Sequence, residues 1–194
     1  MKNRFFENLI AHQALFKSVE HDVQLQAQIV YAADALVQTL QKGGKLLLCG
    51  NGGSAADAEH IAAEFVGSFS GYTKGLSAIS LTANTAVMTS LANDFGYDCV
   101  FEKQIEALAT EKDIVIGLTT SGKSKNVLRA LQAAKCIGAK TIALCGANTA
   151  QIEADTVIAV PGEDTARIQE MHLFIGHCLA QYAKEYFTDE GTNG

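Results

Sequence analysis

The sequence predicts an α/β protein whose central sheet is parallel and is covered by helices on both faces. Five short runs rich in Val, Ile and Leu are predicted as strands, at residues 45–49, 76–81, 113–118, 141–145 and 156–160. Segments in which apolar residues recur at helical spacing separate most of these runs. Continuous apolar strands that alternate with helices are typical of a parallel sheet buried on both sides.

The chain starts with two predicted helices over residues 3–41, in which apolar residues such as Leu9 and Phe16 recur at helical spacing. A break is expected at His21-Asp22, with Asp22 as the N-cap of the second helix. Two helices ahead of the first strand cannot both connect parallel strands, so they must pack elsewhere. We expect them at an oligomer interface, because the first helix carries large apolar residues. The alternative is an additional layer on the sheet.

The remaining helices are predicted at residues 55–66, about 85–92, 98–109, 126–137 and 164–187. The run 93–96 (Asn-Asp-Phe-Gly) is predicted as a turn, and the polar tail after Thr188 is expected to fray. Because the sequence shows no linker, low-complexity segment or internal repeat, we predict a single domain over residues 1–194. Residues 1–42 would form the N-terminal helices, and residues 43–187 the α/β core with the C-terminal helix.

Composition limits the class of protein. With 194 residues and 48% hydrophobic content, the chain can bury a sizeable core. A net charge of −6 without a basic block argues against nucleic acid or an anionic membrane as the main partner. The N-terminal residues lack the apolar run of a signal peptide, and no window approaches the ~20 apolar residues of a membrane span. Five widely spaced cysteines without a C-x-x-C pair are typical of a reducing compartment, so we expect a soluble cytoplasmic protein.

Two loops that follow predicted strands have the composition of an anion site. Residues 50–54 (Gly-Asn-Gly-Gly-Ser) follow the first strand, and residues 119–124 (Thr-Thr-Ser-Gly-Lys-Ser) follow the third. Both run into helices, whose N-terminal N–H groups bind anions, and ligands of open parallel sheets bind beyond the carboxyl ends of the strands. Ordinary helix capping is the alternative, but two such loops favour a phosphate site built from neutral donors. Residues 117–124 (GLTTSGKS) match G-x-x-x-x-G-K-[ST] by letter, but the first glycine lies inside the predicted strand 113–118, whereas in a nucleotide-binding loop it follows the strand. The loop at residues 50–54 matches neither this pattern nor G-x-G-x-x-G, so nucleotide binding is disfavoured.

Further polar side chains, several of them titratable, follow the first loop and lie on the last helix. His60 and Glu64 lie four residues apart, on one face of the helix after the first loop. They could be zinc ligands, an acid–base pair or a surface hydrogen bond. The last helix adds Gln169, Glu170, His172 and His177, whose polar side chains need partners in an otherwise apolar segment. For either histidine alone, a satisfied core or interface position is the alternative.

Four motifs together resemble the phosphoheptose isomerases, which are built on the sugar isomerase (SIS) domain. They are CGNGGSAADAEHIAAE at residues 49–64, NDFG at 93–96, TSGKS at 120–124 and TARIQEMH at 165–172. The resemblance implies a flavodoxin-like three-layer sandwich and a homotetramer with active sites at subunit interfaces. It also implies cytoplasmic isomerisation of sedoheptulose 7-phosphate to D-glycero-D-manno-heptose 7-phosphate through an enediol, for lipopolysaccharide precursors. Two alternatives stay open: a non-catalytic SIS-domain tetramer that binds the replication initiator, and an isomerase for another sugar phosphate.

The resemblance also implies site residues. One zinc ion per subunit would be held by His60, Glu64, Gln169 and His177, and the acid–base pair would be Glu64 and His177. The substrate would be bound by Asn51, Gly52, Gly53, Glu64, Asn93, Asp94, Thr119, Thr120, Ser121, Ser124 and Gln169. Many family members carry Arg where this chain has Ser68, so one cationic contact is absent here. His172, one turn from Gln169, is the competing ligand to His177 by spacing.

Overall fold

The computed structural model describes residues 2–189, so the fraying predicted for the C-terminal tail falls largely outside the described residues. Helices and strands follow one another in nearly the predicted order. They are α1 Lys2–His21, α2 Val23–Gln41, β1 Leu46–Gly50, α3 Gly53–Val66, β2 Ala78–Ser80, α4 Thr85–Phe95, a short 3-10 turn Tyr97–Cys99, α5 Val100–Leu108, β3 Ile114–Thr119, α6 Lys125–Ile137, β4 Lys140–Cys145, β5 Thr156–Ala159 and α7 Thr165–Asp189. None of the described helices is long and apolar enough to cross a membrane.

All five strands pair in parallel, in the order β2-β1-β3-β4-β5. This is the flavodoxin-like order, which confirms the predicted fold class. The order reverses between β1 and β3, because β1 connects to β2 on one side and the chain then crosses to β3 on the other. At such a switch point the loops after the two central strands splay apart and leave a crevice.

The central strands β1 and β3 are buried at every position because both faces of the sheet are covered, whereas the edge strands β2 and β5 are partly exposed. Leu46 and Leu48 of β1 pack into a core cluster with α2, α3 and α7. Leu47 and Cys49 alternate with them and pack into a second cluster, formed mainly with α5 and α6. The three-layer arrangement therefore follows from the period of two in a strand that is buried on both sides.

The N-terminal helices occupy two different environments. Leu36 and Val37 of α2 are buried against the sheet-side core, so α2 takes the alternative position as a layer on the sheet. It covers β5, whose connection from β4 contains no helix. By contrast α1 exposes large apolar side chains, Phe5 by 64% and Ile10 by 65%, and the oligomer interface stays a prediction for this surface. The break before α2 is confirmed, since Asp22 accepts a hydrogen bond from the N–H of Leu25 (2.9 Å).

The predicted turn at residues 93–96 is wrong in its position. Helix α4 continues through Phe95 and ends only at Gly96, which adopts φ 85° and bonds through its N–H to the carbonyl of Ala92 (3.1 Å). Glycine is the residue that takes this left-handed conformation at low cost, so the helix stops there and not at the polar pair before it. Asn93 and Asp94 consequently lie on the last turn of α4.

Candidate functional site

A pair of asparagines joins the loops that follow β1 and β3. Nδ2 of Asn51 donates to Oδ1 of Asn126 (2.8 Å), and Nδ2 of Asn126 donates back to Oδ1 of Asn51 (2.8 Å). The hydroxyl of Tyr97, in the turn after α4, also donates to Oδ1 of Asn51 (3.0 Å). These bonds hold the two glycine- and hydroxyl-rich loops side by side at the switch point.

The N-termini of α3 and α6 are free of side-chain caps. Gly52 precedes α3 and Ser124 precedes α6, and neither makes a capping hydrogen bond from its side chain. Asp22 and Asn84 do cap α2 and α4 in the ordinary way. Side-chain capping of the following helices therefore does not explain the composition of the two loops. The free N–H groups at these two N-termini suit an anion bound between them.

The β3 loop presents several hydroxyl groups. Thr119 is buried at the end of β3 and donates from Oγ1 to Oγ of Ser124 (3.1 Å), while Ser121 is exposed and accepts from the N–H of Lys123 (3.2 Å). Thr120 is half-buried between them. A loop of this kind offers neutral donors to a phosphate without adding positive charge.

Helices α3 and α7 pack side by side in parallel, and this packing brings distant residues together. Gly176 of α7 lies against the side chain of Ile61, at a position where a Cβ atom would collide with it. Eight residues earlier on α3, Gly53 lies against Gln169, and a Cβ atom there would be 2.5 Å from Nε2 of Gln169. The glycines thus allow the close approach that sets His60 beside His177, which is 117 residues away in the chain.

His60, Glu64 and His177 form one cluster. Nε2 of His60 lies 2.9 Å from Nε2 of His177 and 3.2 Å from Oε1 of Glu64. One ligand atom from each of the three residues lies within 4.8 Å of the others. His60 is exposed, whereas Glu64 and His177 are half-buried, so the cluster is open to a ligand from solvent.

The donor types of the cluster fit a zinc ion. Zinc in catalytic sites is held by three protein ligands drawn from His nitrogen, carboxylate oxygen and Cys sulfur, with a further position open to substrate. Two imidazoles and one carboxylate meet this requirement without rearrangement of the fold. Gln169, the fourth expected ligand, packs against Gly53 at the start of α3.

His172, the competing ligand by spacing, is separated from this cluster by burial. It has no accessible surface, and neither ring nitrogen has a hydrogen-bond partner among the described residues. Burial lowers the pKa of His172 to about 4, and the backbone of Cys145 acts in the opposite direction without forming a bond of normal geometry. The neutral ring is part of the core beneath the crevice.

Asn93 and Asp94 lie on the exposed last turn of α4. Among the described residues their side-chain hydrogen bond is to each other, from Nδ2 of Asn93 to Oδ1 of Asp94 (2.8 Å). The same segment reaches the crevice through Tyr97, three residues after Asp94, whose hydroxyl bonds Asn51. Both residues thus stay candidates for a substrate contact from the rim.

Sequence reasoning missed several residues around the cluster. The ring of Phe69 stacks on His177, with centroids 5.4 Å apart and an interplanar angle of 29°. Asp57 lies one turn before His60, and burial raises its pKa to about 6, with His60 acting in the opposite direction. Asn126 is the one with a signal in the sequence, because it is an amide side chain in the first helical turn after a hydroxyl-rich loop, and the structure shows that it is buried and paired. Phe69 has no such signal.

Comparison with known sequences gives a consistent family. The sequence model of the SIS domain matches residues 11–146. A phosphoheptose isomerase from Helicobacter pylori (strain P12) is 45% identical over 184 residues, covering 93% of this chain and 94% of that protein. Phosphoheptose isomerase 1 from Campylobacter jejuni subsp. jejuni is 46% identical over 173 residues, covering 88% of this chain and 93% of the relative.

Solved structures give the same result for the fold. The phosphoheptose isomerase from Neisseria gonorrhoeae superposes with a TM-score of 0.86 at 37% identity, over 93% of this chain and 97% of that one. A phosphoheptose isomerase from Francisella tularensis superposes with a TM-score of 0.84 at 36% identity, over 94% and 96% of the two chains. The similarity covers nearly the whole length on both sides.

Proposed function

The chain belongs to the SIS-domain family and, within it, to the phosphoheptose isomerases, and we propose that it converts sedoheptulose 7-phosphate to D-glycero-D-manno-heptose 7-phosphate for lipopolysaccharide precursors. The observations that carry the proposal are the cluster of His60, Glu64 and His177 on α3 and α7, and the uncapped N-termini of α3 and α6. An aldose–ketose isomerisation needs an acid–base pair and a site for the phosphate. Helix α3 offers candidates for both: the N–H groups at its start for the phosphate, and His60 and Glu64 about two and three turns further along for the proton transfer.

The phosphate is assigned to the loops after β1 and β3. Backbone N–H groups of Gly52 and Gly53, together with hydroxyls at residues 119–124, are neutral donors that suit a phosphate monoester. Asn51 would contact the sugar from the same loop, and its bonds to Asn126 and Tyr97 hold it in place. Asn93 and Asp94 would close the rim of the crevice over the substrate.

The proton transfer is assigned to Glu64 and His177. A carboxylate can accept the proton from the carbon next to the carbonyl and return it to the neighbouring carbon, while an imidazole moves a proton between the two substrate oxygens. His60, Glu64, His177 and Gln169 would hold one zinc ion per subunit. When bound, zinc supplies polarisation of the substrate oxygens and stabilises negative charge on them.

An oligomer with shared sites is part of the proposal. Phe5, Phe6 and Ile10 of α1 are each more than half exposed, and exposed large apolar side chains grouped on one helix are typical of an interface, for which another copy of the chain is the expected partner. We assign a homotetramer with sites at subunit interfaces, located in the cytoplasm. Size measurement by light scattering, before and after substitution of Phe6 by Lys, tests the role of this surface.

Turnover of sedoheptulose 7-phosphate in D₂O tests the reaction directly. The protein is assayed as isolated, after chelation, and after zinc is restored. Aldose that carries solvent deuterium, lost on chelation and regained with zinc, would support both the enediol route and the metal. If deuterated product forms equally well after chelation, the isomerase proposal is kept and the proposed role of the metal is rejected. Product only from another sugar phosphate would favour the alternative isomerase, and no product from any would favour the binding tetramer.

Glu64→Gln tests the assignment of the base. We expect kcat to fall by about 10²- to 10⁴-fold, because the amide cannot accept the proton, while substrate binding stays measurable. Zinc content is determined in parallel, since Glu64 is also a proposed ligand. The matched control is Glu111→Gln, an exposed residue in the turn before β3 at the opposite end of the strands. Retained turnover in Glu64→Gln would remove Glu64 from the proton transfer.

A further inference from the structure

Lys184 is a buried lysine that the proposed reaction does not use. It lies on α7, seven residues and thus about two turns after His177, so the two side chains project from the same side of the helix. Its side chain has no accessible surface. Nζ donates to the backbone carbonyl of Gly67 and to that of Lys74, the latter at 2.8 Å.

These two carbonyls are the ends of one loop. The loop of residues 67–75 begins directly after α3 and leads toward β2, and Nζ of Lys184 on α7 binds a carbonyl near each of its ends. Within the loop, Phe69 and Tyr72 form a small antiparallel bridge, with N–H to carbonyl distances of 3.0 and 2.9 Å. Phe69 stacks on the ring of His177. The loop is therefore tied to α7 at two levels, by Lys184 at its base and by Phe69 near its tip.

A lysine in this position is costly for stability. Burial lowers the pKa of Lys184, and the Glu64 carboxylate acts in the opposite direction. A buried cation is commonly less favourable than an apolar side chain of similar size. The bonds to the two loop ends are what compensate the desolvation, so the residue has a specific role in holding this loop.

We infer that Lys184 is a positioning residue: it holds the loop of residues 67–75 so that Phe69 stays stacked on His177 and fixes that imidazole beside His60 and Glu64. An imidazole that rotates away would leave the acid–base pair and the metal-binding cluster incomplete. The inference deepens the proposed function, but the part that concerns loop order holds for the free protein.

Hydrogen exchange in Lys184→Met tests the loop directly. Methionine keeps the volume and removes the N–H donors. We expect the amides of Phe69 and Tyr72 to exchange at least about tenfold faster, whereas amides of β3 stay unchanged. Lys135→Met, at an exposed position near the end of α6, is the matched control and should exchange like the unmodified protein. If the Met variant does not fold, Lys184→Gln replaces it; its neutral side chain is one bond shorter and holds the two carbonyls less firmly, so exchange of the same amides should again be faster than in Lys135→Met.

A double-mutant cycle with Phe69→Leu tests whether Lys184 acts through Phe69. We expect each single variant to lower kcat at least about tenfold, with KM changed less than about threefold. In the double variant, Lys184→Met should lower kcat by less than about twofold beyond Phe69→Leu alone. Apparent affinity for Zn²⁺ alone, by chelator competition, should show the same non-additivity.

Three results would overturn the inference: unchanged exchange of the loop in Lys184→Met, additive effects in the cycle, or turnover and Zn²⁺ affinity equal to those of Lys135→Met. Failure of the proposed function gives a different pattern. In that case the exchange and Zn²⁺ measurements would still show the coupling of Lys184 and Phe69, while no variant, and no unmodified protein, would isomerise the heptulose phosphate.

Discussion

Replacement of the buried His172 should make the protein more resistant to acid. Its ring has no accessible surface, and both ring nitrogens lack a hydrogen-bond partner among the described residues. Burial lowers the pKa of His172 from its ordinary 6.5 to about 4. Below pH 6.5 the unfolded chain therefore binds a proton at this imidazole more readily than the folded protein does.

The magnitude follows from the difference between the two pKa values. Between pH 6.5 and pH 4 the unfolded chain binds more protons at this position, so stability falls as the pH is lowered through this window. One pKa unit corresponds to about 1.4 kcal/mol, which gives a loss of about 3 kcal/mol for the full window. At pH 7.5 the ring is neutral in both states, so this loss is absent.

His172→Leu removes the titrating group and leaves a side chain of similar volume. At pH 7.5 we expect its free energy of unfolding to lie within about 1 kcal/mol of the unmodified protein, because two unsatisfied nitrogens are lost along with the ring. The difference in free energy of unfolding between the variant and the unmodified protein should change with pH. It should favour the variant by about 3 kcal/mol more at pH 4 than at pH 7.5.

Urea unfolding at a series of pH values measures this difference. Far-UV circular dichroism follows the transition, with protein concentration held constant because the unfolding of an oligomer depends on it. A chelator is present throughout. Met171→Leu, a neighbouring buried and non-titrating position, is the control and should differ from the unmodified protein by an amount that does not change with pH. If the His172→Leu difference is equally flat, His172 has a partner when folded and the reasoning is refuted.

Two further substitutions test the site and its support. Gly53→Ala adds a methyl group 2.5 Å from Nε2 of Gln169, so the amide must move, and kcat/KM should fall about tenfold or more. Gly162→Ala, where the methyl meets only side chains at 3.3 Å or beyond, should keep normal turnover, and equal turnover in both variants would contradict the assignment of Gln169. Asp113→Asn weakens the bonds from the backbone N–H and Nζ of Lys45 (2.9 and 2.6 Å) to a 2%-exposed carboxylate, so urea unfolding should show a loss of about 2 to 4 kcal/mol. A loss below about 0.5 kcal/mol would mean that the ion pair contributes nothing net.

Local patterns were sufficient for most elements and for two parts of the site. The apolar runs located all five strands, most clearly the central β1 and β3, because a strand buried on both faces is apolar at nearly every position. The loops at residues 50–54 and 119–124 were recognisable because polar residues follow each of those strands at once. The turn at residues 93–96 was misplaced because polar composition suggested an end that only the left-handed Gly96 provides.

The sequence by itself determined the elements, the fold class and the pair His60 and Glu64, since all of these depend on neighbours within a few residues. Only the tertiary structure decided that β1 lies beside β3, which unites the two loops. Spacing left His172 and His177 as competitors, and the tertiary structure places His177 beside His60 across 117 residues. It also decided the role of Lys184 at the loop of residues 67–75. Such contacts depend on how whole faces of α3, α7 and the sheet pack together, which is the sum of many weak interactions. This packing cannot be inferred from the local periodicity of the sequence.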